Sequence, residues 1–162
     1  ALIIDQTYLD LGKNVDVLVC AWRPKALSTN DPVISVYDVD DAEFKRIQEQ
    51  SDVANSGCMF GPEFLVYIPA AGKFATFFMG SKSQRRESPN MKARMHQAAT
   101  LKSKLIETPK YKWQNPVVVP CSTPFELPDL QAVKEQIEKF TNPPVSEIER
   151  VDDSKKDEGR AR

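Results

Sequence analysis

Between residues 64 and 120 the sequence interleaves aromatic rings with cations. Phe64, Tyr67, Phe74, Phe77, Phe78, Tyr111 and Trp113 run among Lys73, Lys82, Arg85, Arg86, Lys92, Arg94, Lys102, Lys104, Lys110 and Lys112. Cations in this density can follow a chain of phosphates. Aromatic faces stack on bases of any identity, each stack contributing about 1–3 kcal/mol. The segment carries 10 Lys and Arg against 2 Asp and Glu, whereas residues 1–63 carry 5 against 11 and residues 121–162 carry 7 against 10. A formal net charge of −1 therefore conceals a local basic footprint of the kind an anionic partner requires.

Other chemistry has little support. His96 is the sole histidine, so a Ser-His-Asp arrangement has one possible base and no nucleophile elbow around it. Cys20, Cys58 and Cys121 are widely separated and odd in number. They give no zinc-ligand spacing and no disulfide framework, and they fit a reducing compartment. Asp38, Asp40, Asp41 and Glu43 read as an acidic helix start rather than a divalent-ion site. No phosphate-cradling Gly-rich motif is present. The expectation is a protein that is not an enzyme, with no cofactor and no metal. No apolar run approaches the roughly 18 residues of a membrane span, and Ala1 to Ile4 lacks the basic start of a signal peptide. The expected setting is soluble and cytoplasmic.

The elements that must position these residues follow from periodicity. Asn14 to Trp22 alternates with β-branched residues and reads as a strand, ended by Arg23-Pro24. Asp40 is placed to cap a helix holding Phe44 and Ile47. Glu63 to Pro69 and Lys73 to Met79 are two strands joined at Gly72, which can take the positive φ of a short hairpin. Gly80 to Gln84 leaves the second strand, Lys82 to Arg86 follows the hairpin directly as a run of phosphate contacts with a solubilising turn as the alternative, and Ser88-Pro89 reads as the start of a helix with Met91, Met95 and Ala98 at helical spacing. Residues 101–108 fit either a continued helix or an alternating strand, and the alternating lysines favour the strand. Residues 116–120 form a last strand between two prolines. Asp129 then caps a helix with Leu130, Val133, Ile137 and Phe140 on one face.

Strand, hairpin, helix, strand, strand is the order of an OB-fold, a five-stranded partly open barrel. The expected fold is thus mainly β, with residues 25–62 as an enlarged connection between strands one and two, and some other small α+β sheet domain as the alternative. Residues 1–128 would form the binding domain, 129–144 a C-terminal helix, and 145–162 a charged, disordered tail. In such a barrel the second and third strands form the binding face, which assigns Tyr67 and Phe77 as stacking platforms with Lys73 beside them. Lys82, Arg85, Arg86, Lys102 and Lys104 are expected on phosphates. Lys110, Tyr111, Lys112 and Trp113 complete the set, with Trp113 a third platform. A domain this size needs most of its rings for the core, so about two-thirds of the aromatics should be buried.

The segments FLVYIPAAGKFATFFMGSKSQRRE and LKSKLIETPKYKWQNPVVVPCSTPF, in that element order, resemble the single-stranded-DNA-binding proteins of tailed bacteriophages. The likeness spans roughly residues 14–121. It implies an OB-fold that protects replication or recombination intermediates, with single-stranded DNA or RNA and replication or recombination proteins as partners. Many such proteins end in an acidic tail with a terminal aromatic. Here the final residues, Asp157 to Arg162, are mixed in charge, so recruitment through the tail is not expected. The alternative reading is a structural or interaction protein whose basic face docks an acidic protein.

Overall fold

The computed structural model describes residues 2–4, 14–121 and 126–149, with the side chains of residues 2, 3 and 113 left aside. The protein is mainly β, with three helices among these residues. In chain order the elements are β1 (Leu2–Ile4), β2 (Val15–Ser28), β3 (Val33–Val36), α1 (Ala42–Gln50), β4 (Cys58–Ile68) and β5 (Lys73–Phe78). They continue with α2 (Lys82–Lys92), β6 (Ala98–Glu107), β7 (Lys112–Pro120), α3 (Leu130–Thr141) and β8 (Ser146–Glu149). The chain divides into two compact units, Ala1–Arg23 with Pro62–Asn142, and Pro24–Gly61 with Pro143–Arg162.

In the first unit β1 lies parallel to β5, and β5 pairs antiparallel with β4 from Ile68↔Lys73 to Glu63↔Phe78. Gly72, with φ of 62°, makes the turn between them, a conformation cheap only for glycine. β6 pairs antiparallel with Val15–Leu18 of β2, and β7 pairs antiparallel with β6 over the length of both strands. Side chains directly opposite one another share a face. Phe64 and Val66 therefore join Phe77 and Ala75 in the main core with Val15, Val17, Val19, Ile68, Met79, Met91, Ala99, Leu101 and Val118.

The other face of the β4–β5 hairpin is also covered. Leu65, Tyr67 and Phe74 pack with Cys20, Ala21 and the α3 residues Val133, Ile137 and Phe140. Arg23 secures this layer. Its guanidinium bonds Glu63 through Nε at 2.8 Å and Nη2 at 2.7 Å, donates from Nη1 to the Phe140 carbonyl at 3.1 Å, and lies 4.1 Å above the Phe140 ring. Removing one partner of a pair so enclosed leaves a charge without compensation.

The second unit places Ala26, Val36, Phe44, Ile47 and Cys58 in its own core. The end of β2 pairs with β3, and β3 pairs with β8. The helix there starts one residue later than the sequence suggests: Asp41, not Asp40, accepts the Glu43 amide. β2 does not stop at Pro24 but continues to Ser28; proline is tolerated in a strand where no ladder partner needs its missing N–H. The charged tail expected from residue 145 begins instead with β8, and residues 150–162 lie outside the described residues.

Candidate functional site

The largest local revision concerns Lys82 to Arg86. This run is not a turn but the first half of α2. Ser81 is the N-cap: its hydroxyl accepts the Gln84 amide at 3.2 Å, and the Gln84 side chain accepts the Ser81 amide at 3.0 Å. Such a reciprocal box satisfies two of the donors that a helix start leaves open. Ser88-Pro89 therefore lies inside the helix. Pro89 supplies no amide for the Arg85 carbonyl four residues back, and the Ser88 hydroxyl donates to that carbonyl at 2.7 Å. Met95 and Ala98 fall beyond the helix, in a turn where His96 has φ of 63° and at the start of β6.

α2 is anchored by its single acid. Glu87 Oε1 accepts the Val118 amide of β7 at 2.9 Å and the Asn90 side-chain amide at 3.1 Å. Arg85 is also engaged, donating from Nη1 to the Gly80 carbonyl at 2.7 Å. With these two side chains occupied, Lys82 and Arg86 are left exposed on the outer face of the helix.

They meet the tip of the β6–β7 hairpin. Thr108 and Tyr111 close that tip: the Thr108 amide donates to the Tyr111 carbonyl at 2.7 Å, and the Tyr111 amide donates to the Thr108 hydroxyl at 2.9 Å. The backbone of Tyr111 is thus held while its ring stays 70% exposed. Ser81, Lys82, Ser83, Arg86, Tyr111 and Lys112 line one open hollow of about 500 Å³. It combines an aromatic face, three cations and two hydroxyls. Lys112 has an exposed ion pair with Glu107 at 3.5 Å, a contact too screened to hold it away from a stronger anion.

The remaining expected site residues are dispersed. Phe77 is 0% exposed in the main core, so its assignment as a stacking platform is corrected: the face it occupies is closed by β2, α2 and β6. Tyr67 is half-buried under α3, edge-on to Phe74 with ring centroids 5.2 Å apart. Lys73 is exposed at the turn end of β5. Lys102 and Lys104 are exposed, but the register sets them opposite Val117 and Asn115, on the reverse face of the hairpin from Lys112. Lys110 is exposed at the tip beside Tyr111. The backbone of Trp113 pairs with Ile106, and its side chain falls outside the described set.

One exposed ring lies outside the expected set. Trp22 is 41% exposed, with the Lys92 Nζ 4.0 Å from its ring centroid. It shares the even-numbered register of Asp16, away from the Val15, Val17 and Val19 face, but Cys20 in that same register is 2% exposed, so strand phase alone does not mark Trp22 as exposed.

Among the described residues no group of three or more His, Cys, Asp or Glu is placed to hold a metal, and no helix is long and apolar enough to cross a membrane. Comparison with protein-family models, curated proteins and solved structures finds no match.

Proposed function

We propose that the protein binds single-stranded DNA with little sequence preference, through an OB-like first unit, and protects exposed strands during replication or recombination. The observation that carries this reading is the hollow in which Tyr111 stands exposed among Lys82, Arg86 and Lys112, with Ser81 and Ser83 beside them. An exposed ring and exposed cations, with no acid among the lining residues, are the pairing that non-specific strand binding needs. The strand path on this reading runs over α2 and the β6–β7 tip, because the second face of the β4–β5 hairpin lies under α3.

The test is a titration of the purified protein with a fluorescent oligo-dT, and with an oligo-U of equal length, at several salt concentrations. Binding should weaken linearly on a log-log plot, with a slope of about −0.7 per phosphate contact. Preference for oligo-U would reassign the ligand to RNA. No binding at low salt would remove the nucleic-acid reading and leave an acidic protein as the partner of the basic face.

A further inference from the structure

Trp22 and Tyr111 are the exposed aromatic side chains among the described residues. The helix α2 relates them to one basic surface: Lys82 and Arg86 of its first two turns line the Tyr111 hollow, and Lys92 of its last turn lies over Trp22. Lys92 stands ten positions after Lys82 along the helix, a rise of about 15 Å. The exposed residues between are Arg86, Pro89 and Asn90, and the helix's only acid, Glu87, is turned to the Val118 amide. The outer surface of α2 therefore carries no negative charge that would repel a phosphate chain.

From this placement we infer that Trp22 is a second base-stacking platform, with Lys92 as its phosphate partner, at the far end of a strand path that begins at Tyr111. The inference rests on the strand-binding reading above. In the free protein the Lys92 ammonium covers the exposed indole. A cation–π contact at an exposed site is weaker than base–aromatic stacking, so an incoming base displaces the ammonium. The ammonium then meets the phosphate next to that base. Trp22 extends the contact surface by the length of the helix and requires the bound strand to span several nucleotides.

The chain holds two tryptophans, so protein labelled with 5-fluorotryptophan gives two fluorine resonances, and Trp22→Phe identifies the one belonging to Trp22. Fluorescence anisotropy of an oligo-dT measures binding independently. The expected result is a saturable shift of the Trp22 resonance that tracks the anisotropy curve. Trp22→Ala should bind about 5- to 150-fold more weakly, and Lys92→Ala should flatten the salt slope by about 0.7. An unmoved Trp22 resonance at saturating oligonucleotide, with anisotropy still reporting binding, overturns the inference while strand binding stands. No anisotropy change at low salt overturns both. A very short oligonucleotide that fills the Tyr111 hollow should leave the Trp22 resonance in place, and a longer one should move it.

Discussion

The Glu87 carboxylate accepts the Val118 amide at 2.9 Å, and with the packing of Met91 beside Val118 in the core it holds the helix bearing Lys82 and Arg86 against the strand bearing Lys112. A buried amide on the outer edge of a sheet needs an acceptor. Here a helix supplies it, and the basic hollow is a consequence. Glu87→Ala should lower stability by about 1.5–3 kcal/mol, the range for a hydrogen bond to a charged group. It should also weaken oligo-dT binding although Glu87 is not in the hollow. Urea denaturation and anisotropy on the same sample check both. Unchanged values in both would show that the bond positions nothing.

Lys82, Arg85 and Arg86 are neighbours in sequence with different expected behaviour. Lys82→Ala and Arg86→Ala should each flatten the salt slope of binding by about 0.7 and leave the melting temperature near that of the unaltered protein. Arg85→Ala should lower stability, because its guanidinium bonds the Gly80 carbonyl, and should leave the slope alone. Equal slope changes for all three would contradict the helix placement.

Tyr111 and Phe77 separate surface from core. Tyr111→Ala should cost about 1–3 kcal/mol of binding with little change in melting. Phe77→Ala opens a cavity among Phe64, Val66 and Met91 and should cost about 3–5 kcal/mol of folding stability. Paired melting and binding curves on the two variants are decisive. A Phe77→Ala protein that melts normally and binds poorly would restore Phe77 as a platform.

Cys20 gives a pH dependence of known sign. Burial pushes its thiol from the ordinary 9.0 up to about 11, partly offset by a backbone hydrogen bond from Tyr67. The folded state holds the thiol proton more tightly than the unfolded chain does. The resulting stability is present in full below pH 9 and is lost as the pH rises through about 11. Denaturation curves between pH 8 and 11 should show the decline, and Cys20→Ala should remove that part of it. At pH 8 an alkylating reagent should reach half-buried Cys121 before Cys20 or Cys58.

Much of the local structure was legible from residue type alone. The Gly72 hairpin, the β6 strand with its alternating lysines, and the helix with Phe140 at its end all follow from period and turn chemistry, which act between near neighbours. The start of α2 was also written in the chain, as Ser81 and Gln84 three apart. Pro89 obscured it, because proline is favoured at the first position of a helix, and inside this one the Ser88 hydroxyl bonds the Arg85 carbonyl that Pro89 cannot serve. Strand 14–22 showed two faces but hid that Trp22 would be exposed.

What the sequence by itself determined was the inventory: a basic, ring-rich middle between acidic ends, and alternation that sends Phe77 and Phe78 to opposite faces. Which of those faces is buried was decided only by tertiary packing. Alternation is symmetric until another element closes one side, and here Met91 of α2, Val17 and Val19 of β2 and Leu101 of β6 close the side of Phe77. Packing also selected the site. Tyr111 joins Lys82 and Arg86, far from it in sequence, where Glu87 bonds the Val118 amide and Met91 packs beside Val118, setting α2 against β7. Lys102 and Lys104, much nearer to Tyr111 in sequence, are turned away by the two-residue period of their strand.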